Sequence, residues 1–154
     1  MMAGPEEKTK LIRVTNDCSE AIATFLSISK DYFADLPPDK REKFVQSILA
    51  RQNEPDRWLL LLMYDDEYIG FVHMKIDDER PGWGFILEFY ILPNKRGLGW
   101  GRRLFNLVVK ILRARGVDHI WLWSAPDAEL FWRSLGFRET GEIMYGNKVM
   151  ATSL

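Results

Sequence analysis

The sequence predicts one domain of the α/β (α+β) class, and three observations lead to this prediction. The chain has 154 residues, 47% of them hydrophobic, which suits one well-packed core. Residues 85–92 form an apolar run typical of a buried strand, followed by a glycine-rich turn and a helical repeat of apolar residues. Residues 58–64 and 68–76 form two further apolar runs joined by Asp65-Asp66-Glu67, which predicts a hairpin.

The remaining elements follow from local signals taken in chain order. Residues 11–15 alternate as a strand, and Asn16, Asp17 and Ser19 offer caps for the first helix. Two prolines at 37 and 38 open the second helix, and Gly116 stands where a C-terminal cap of the third is expected. The predicted strands cover 11–15, 58–64, 68–76, 85–92, 119–124, 137–143 and 148–153, and the predicted helices 20–30, 38–50, 98–115 and 128–135.

Composition excludes several other classes of protein. Residues 1–9 are polar and are expected to form a disordered tail before a domain at 10–154. The start lacks the pattern of a secretory signal, and the longest uncharged apolar run is too short to cross a bilayer. Cys18 is the single cysteine, so a cytoplasmic location without disulfides is expected. With two histidines and no HxxxH or CxxC spacing, we expect no metal site.

The turn before the third helix has the composition of an anion site. Glycine costs about 1 kcal/mol relative to alanine in a helix, so Gly97, Gly99 and Gly101 indicate that a ligand approaches the backbone closely. Seven of the 21 lysines and arginines lie between positions 95 and 115, where no acidic residue occurs. Because N–H groups at a helix start bind anions, we predict phosphate binding here. The expected side-chain ligands are Arg96, Arg102 and Arg103.

Three known phosphate-binding patterns compete for this turn. The Walker loop requires GxxxxGK[ST], which the sequence lacks, and the dinucleotide fingerprint requires GxGxxG where the sequence has GxGxG. The segment from Ile91 to Leu104 reads IxPxxRGxGxGxxL. It resembles the acetyl-CoA signature of the GNAT superfamily of N-acetyltransferases, whose core is R/Q-x-x-G-x-G/A.

Residues 128–137 strengthen this resemblance. They read AxxFWxxxGF, similar to the family segment A-x-x-F/L-Y-x-x-x-G-F, and the similarity extends from about Leu11 to Ser153. The resemblance implies the element order βααβββαβαββ. It also implies a central mixed, mostly antiparallel twisted sheet of about seven strands with helices on both faces.

The resemblance further implies acetyl-CoA as co-substrate, without a metal. Backbone groups at the end of the fourth strand would pair with the pantetheine arm, and the amides of residues 97–102 would cradle the pyrophosphate. Phe131 would flank the cofactor or simply pack in the core. The implied cofactor-binding residues are Ile91, Leu92, Arg96, Gly97, Leu98, Gly99, Gly101, Arg102 and Phe131.

Glu88 is the predicted catalytic base. An alkylamine with a pKa of about 10.4 is protonated at neutral pH and must lose a proton before it can attack a thioester. Glu88 is the only charged residue in its apolar run, and because burying an unpaired carboxylate is costly we expect it to face a cleft. In the resembling enzymes this strand offers an acid on the substrate side. The alternative is a structural acid paired with an arginine or lysine.

The sequence departs from the family pattern at two positions. Trp132 stands where many members have a tyrosine that protonates the departing thiolate, which indole cannot do. Tyr145 is therefore retained as the second catalytic candidate, with Tyr90, water or unaided departure as alternatives. Ala125 replaces a family asparagine, which removes one contact to pantetheine.

The evidence for the acceptor is thinner. Asp31 and Tyr32, with Phe33 and Asp35, are predicted to lie between the first two helices, a region that lines the acceptor side in the family. An acid and an aromatic ring suit a cationic amine, although an ordinary amphipathic loop explains them equally well. His73 is predicted to be a satisfied structural histidine.

The predicted function is direct transfer of acetyl from acetyl-CoA to a primary amine of a small molecule or peptide, without a covalent enzyme intermediate. The alternative is a catalytically weak acetyl-CoA-binding sensor. A nucleic-acid binder is disfavoured because the chain outside the basic helix is acidic and has no recognised nucleic-acid motif. No nucleic-acid or membrane partner is expected, and a homodimer is left open.

Overall fold

The computed structural model describes residues 8–154, and within them seven strands and four α-helices follow in the predicted order. Residues 1–7, most of the predicted tail, lie outside the described residues, and the first strand begins at Thr9. The strands are β1 Thr9–Arg13, β2 Arg57–Tyr64, β3 Glu67–Ile76, β4 Trp83–Ile91, β5 His119–Ser124, β6 Arg138–Met144 and β7 Asn147–Ser153. The helices are α1 Ser19–Tyr32, α2 Pro38–Ala50, α3 Trp100–Ala114 and α4 Glu129–Ser134.

The strands form one mixed sheet, as predicted. Their spatial order is β1-β2-β3-β4-β5-β7-β6. Strand β1 pairs antiparallel with β2, and β7 pairs antiparallel with both β5 and β6. Strand β4 pairs parallel with β5 from Trp83 to Phe85. The predicted fold class is therefore confirmed.

The described chain divides into two compact units, each built from separate stretches of sequence. One comprises residues 8–73 with Glu88–Gly101, and the other comprises Met74–Leu87 with Arg102–Leu154. Strands β3 and β4 each contribute residues to both units. The single domain expected from the sequence stays a prediction.

The first unit has its core between α1, α2 and the strands β2 and β3. Phe25 and Phe71 are fully buried there, with ring centroids 5.2 Å apart in an edge-to-face pair. The hairpin from β2 to β3 turns at Asp65 and Asp66, whose φ angles of 50° and 65° fit a two-residue turn that aspartate tolerates. This confirms the predicted hairpin.

The second unit packs α3 and the neighbouring strands around aromatic side chains. Phe85 on β4 and Trp121 on β5 are stacked, with ring centroids 4.1 Å apart and planes within 4°. Leu104, Val108 and Leu112 form the buried stripe of α3, as its apolar spacing predicts. Among residues 8–154, no helix combines the length and apolarity needed to cross a bilayer.

We expect Gly70→Ala to destabilise the first unit by about 2–3 kcal/mol, a typical cost of overpacking. A Cβ at Gly70 would lie 2.0 Å from the backbone oxygen of Tyr90, and a backbone atom in a paired strand cannot move away cheaply. Gly84→Ala is the matched control, since its Cβ would meet a side-chain atom, Cδ1 of Leu112, at 2.9 Å, and not a backbone atom. Urea unfolding of both variants measures the difference, and an equal loss of stability would contradict this account.

Candidate active site

A continuous chain of polar contacts links three adjacent strands of the first unit. Glu88 on β4, His73 on β3 and Arg57 at the start of β2 are all buried, being 8%, 2% and 4% exposed. Glu88 Oε2 lies 2.5 Å from His73 Nδ1, and His73 Nε2 lies 2.9 Å from Arg57 Nη1. Arg57 Nε in turn donates to Glu54 Oε2 at 2.9 Å, and the Glu54 side chain is 54% exposed.

The position of Glu88 differs from the prediction. Burying an unpaired carboxylate is costly, and for that reason the sequence predicts a cleft-facing side chain. The carboxylate is instead buried and compensated by a hydrogen bond from His73. The alternative in which Glu88 is a structural acid assumes an arginine or a lysine as its partner. The partner of Glu88 is instead His73. The predicted satisfied state of His73 agrees with contacts at both ring nitrogens.

Two tyrosines lie beside Glu88 in the same unit. The ring centroids of Tyr32 and Tyr90 are 5.2 Å apart. Burial raises the pKa of Tyr32 and the negative charge of Glu88 raises it further, against a backbone hydrogen bond at Phe89 that lowers it. Burial also raises the pKa of Tyr90, which Arg96 lowers and Asp31 raises. Both phenols therefore stay protonated at neutral pH and can donate a hydrogen bond.

The predicted acceptor residues lie on a helix instead of a loop, and Tyr32 lies close enough to Glu88 for the negative charge of that carboxylate to raise its pKa. Asp31 and Tyr32 form the last turn of α1, which runs two residues beyond its predicted end at Lys30. The extension follows from packing, since the Tyr32 ring contacts Phe71 with centroids 5.3 Å apart. Asp31 is exposed and Tyr32 is half-buried.

The end of β4 is tied to the glycine turn by Arg96. Its Nε donates to the Ile91 carbonyl at 2.9 Å, and its guanidinium lies 5.3 Å from the centre of the Tyr90 ring. The Leu92 N–H donates to the Ile69 carbonyl on β3 at 2.9 Å. Arg96 therefore holds the glycine turn against the end of β4, the strand that is predicted to bind the cofactor.

The turn itself leaves its backbone open at two glycines. Gly97 and Gly99 adopt φ angles of +76° and +86°, a left-handed conformation that side chains disfavour. A Cβ built on either residue meets nothing within 4 Å, so the backbone faces open space that a side chain would fill. The exposed Leu98, 68% accessible, lies between them.

Helix α3 begins at Trp100 directly after this turn and has no acidic residue in its first turn. The first N–H groups of a helix have no partner within it and favour negative charge. The first turn of the helix nevertheless contains Arg102 and Arg103, whose positive charges are unfavourable for the helix dipole unless an anion binds. Arg102 also donates from Nη2 to the Ser134 carbonyl at 3.2 Å. Lys95 is paired with Glu67 at 2.6 Å and lowers the pKa of that carboxyl.

The remaining predicted residues belong to the second unit. Trp132, at the family tyrosine position, is 5% exposed and packs against Phe137 with ring centroids 5.2 Å apart. Phe131 is half-buried beside Trp132, at 4.9 Å between ring centroids. Tyr145 lies between β6 and β7, is 82% exposed, and contacts Trp123 at 5.2 Å between ring centroids. The catalytic role of Tyr145 stays a prediction, as does the cofactor role of Phe131.

Arg57 is the functional candidate that the sequence analysis missed. It is the only charged residue of β2 and precedes an apolar run, which is also where a solvent-facing strand end is expected. The available signal was a polar side chain at the start of, or within, each of three successive apolar runs: Arg57, His73 and Glu88. Only the pairing of those strands brings the three together.

Comparison with known proteins agrees with this architecture. The model of the acetyltransferase (GNAT) family matches residues 22–137. The mycothiol acetyltransferase of Thermobispora bispora is 31% identical over 134 residues, covering 79% of this chain and 44% of that protein. That of Arthrobacter sp. (strain FB24) is 29% identical over 122 residues, covering 72% and 38%. The chain thus spans less than half the length of these curated relatives.

Solved structures share the fold at lower identity. An acetyltransferase from Thermus thermophilus has a TM-score of 0.76 at 21% identity, covering 96% of this chain and 97% of that one. The PaiA N-acetyltransferase of Thermoplasma acidophilum, crystallised with coenzyme A, has a TM-score of 0.73 at 16% identity, covering 95% and 99%. With the family match over residues 22–137, these findings confirm the predicted enzyme class, and the chain belongs to the GNAT family of acetyltransferases.

Proposed function

We propose that the protein transfers an acetyl group from acetyl-CoA directly to a primary amine. The observation that supports this most strongly is the turn before α3, where two left-handed glycines leave the backbone open beside a helix start without acidic residues. These features fit a pyrophosphate, since free amides and arginines are its usual ligands. The residues that would hold it are Gly97, Leu98, Gly99, Gly101 and Arg102, with Arg96 at the junction to the strand.

Residues of the first unit would have separate roles in this acetyl transfer. When bound, acetyl-CoA supplies a thioester carbonyl that a neutral amine can attack. The backbone of Ile91 and Leu92 would hold the pantetheine arm at the strand end. Glu88 would take the proton of the amine, and the exposed Asp31 would attract the cationic form of the acceptor. Tyr32 and Tyr90, as protonated phenols, can orient groups beside Glu88.

The donor of a proton to the thiolate stays open among Tyr90, Tyr145 and water. Tyr90 lies in the same unit as Glu88 and stays protonated at neutral pH, because burial raises its pKa. Trp132 is buried among aromatic rings and has no acidic proton to give. This substitution is also the observation that favours the second candidate, an acetyl-CoA sensor with weak catalysis. Turnover with any amine would exclude the sensor.

The acceptor is proposed at the level of a primary amine on a small molecule or peptide. The panel to be tested comprises polyamines, aminoglycosides, amino acids and peptide N-termini. The acceptor of the mycothiol acetyltransferases joins this panel because the curated relatives have that name.

Calorimetric titration with acetyl-CoA is the direct test of the cofactor site. We expect saturable binding with a micromolar dissociation constant, and weaker binding of dephospho-CoA and ATP because each lacks part of the ligand. Release of thiol would then be followed with each amine of the panel. Absence of acetyl-CoA binding would overturn the proposed function as a whole.

A further inference from the structure

The contacts around His73 determine which of its ring nitrogens has the proton. An arginine guanidinium has only donors, so Arg57 Nη1, 2.9 Å from His73 Nε2, must donate to it. Nε2 is therefore the acceptor, and the proton of the neutral ring is on Nδ1. That N–H points at Glu88 Oε2, 2.5 Å away. The three side chains thus form a directed series of hydrogen bonds that ends on the carboxylate.

This arrangement excludes His73 as a proton relay. Nδ1 already has its proton, and Nε2 faces a donor, so neither nitrogen can accept a proton from Glu88. A hydrogen bond donated to a carboxylate favours its charged form. One oxygen of Glu88 is held by the ring, and Oε1 is the atom left for the acceptor.

We propose that Arg57 and His73 are positioning residues for the base: Arg57 fixes the Nδ1–H tautomer of His73, and the Nδ1–H of His73 holds Glu88 Oε2, which leaves Oε1 for the acceptor. The proposal rests on the proposed function. In the step concerned, the N–H bond of the acceptor ammonium breaks, its electron pair stays on nitrogen, and an O–H bond forms at Glu88 Oε1. Water takes this proton after turnover.

The other titratable groups around Arg57, His73 and Glu88 do not take over the hydrogen bond that His73 donates to Glu88. Tyr32 faces Glu88 from α1 and stays protonated, since burial raises its pKa. Tyr90 is on the same strand as Glu88, and burial raises its pKa as well. Glu54 pairs with Arg57 at the far end and is 54% exposed. Within the part of the chain that the structure describes, His73 supplies the hydrogen bond to the Glu88 carboxylate.

Nitrogen-15 NMR of the intact protein tests the tautomer without any ligand. The chain has two histidines, so His119→Asn assigns the signals of His73. We expect the signals of a ring with its proton on Nδ1 and none on Nε2. In Arg57→Met, Nε2 loses its donor, and a proton on Nε2 is expected to become detectable. A wild-type ring with a proton on Nε2 would overturn the proposal, whatever the activity.

Kinetics of two substitutions at one position test the positioning role. Asparagine places an amide N–H near the position of Nδ1, whereas leucine removes the donor at similar size. We expect His73→Leu to lower kcat about 10- to 100-fold, the effect of losing a hydrogen bond to a charged group, with KM for acetyl-CoA unchanged. We expect His73→Asn to retain kcat within about threefold, since the donated hydrogen bond remains.

The contrast between the leucine and asparagine variants separates this role from a merely structural one. Equal losses in His73→Leu and His73→Asn would overturn the positioning role. The positioning role would also be overturned if His73→Leu kept full activity while Glu88→Gln still lowered the rate. If substitution of Glu88 itself left the rate of acetyl transfer unchanged, the result would instead contradict the proposed function.

Discussion

Glu88→Gln is expected to lower the rate of acetyl transfer at pH 7 by about 10²- to 10⁴-fold, the usual contribution of a general base. Glutamine has nearly the same shape, and its amide oxygen can still accept the hydrogen bond from His73 Nδ1. The substitution therefore removes basicity and charge while the three-strand arrangement is kept. Affinity for acetyl-CoA is expected to remain, because the glycine turn is unchanged.

The loss should be smaller at pH 9 than at pH 7. For an amine with a pKa of about 10.4, roughly 1 molecule in 2,500 is neutral at pH 7 and about 1 in 25 at pH 9. A base that prepares the neutral amine therefore matters less as the pH rises. Steady-state rates across this range, with saturating acetyl-CoA, measure the effect.

Glu42→Gln is the matched control, since Glu42 is an exposed carboxylate on α2 of the same unit. It loses the same charge and should leave both rate and pH profile unchanged. If Glu88→Gln reduced the rate equally at both pH values, Glu88 would be a structural acid in this enzyme.

Strands β2 to β5 could be predicted from the sequence because their apolar runs are short and sharply bounded. Residues 119–124 were predicted as a strand and form β5 with the same bounds. The glycine turn was likewise readable, since closely spaced glycines before an amphipathic helix have few structural explanations. Such features depend on local chemistry and need no knowledge of which strands become neighbours.

The contacts among Glu88, His73 and Arg57 could not be predicted from local sequence. Arg57, His73 and Glu88 are 31 residues apart at their extremes, and only the pairing of β2, β3 and β4 brings them together. The rule that unpaired buried carboxylates are costly is sound, but it predicted only a cleft-facing Glu88, because the partner His73 could not be identified from the sequence. The end of α1 was missed for a related reason, since ring packing of Tyr32 extends the helix beyond its polar signals.

Gly99→Glu is expected to lower the affinity for acetyl-CoA by at least about 100-fold. Two unit charges of like sign separated by 4 Å near a protein surface repel by about 4 kcal/mol, and each 1.4 kcal/mol is a tenfold change in affinity. The new side chain would enter open space, because a Cβ at this position meets nothing within 4 Å. The fold can therefore accommodate the substitution, whereas a bound pyrophosphate would meet both its bulk and its charge.

The backbone contributes a separate and smaller effect. Gly99 has a φ of +86°, and an L-residue held there costs roughly 1–2 kcal/mol. Gly141→Glu is the matched control, since Gly141 has a φ of +91°, is also surrounded by open space, and lies on β6. Both variants should lose similar stability on thermal unfolding.

Calorimetric titration with acetyl-CoA then separates the effect of backbone strain on affinity from the effect of the added charge. Gly141→Glu should bind acetyl-CoA as wild type does, and Gly99→Glu should bind it at least about 100-fold more weakly. Gly99→Ala, which adds strain without charge, should fall between them. Because the repulsion in Gly99→Glu is electrostatic and the turn is exposed, added salt should restore part of its affinity. Wild-type affinity in Gly99→Glu would show that the phosphates bind elsewhere, and the proposed cradle would then be a turn required only to start α3.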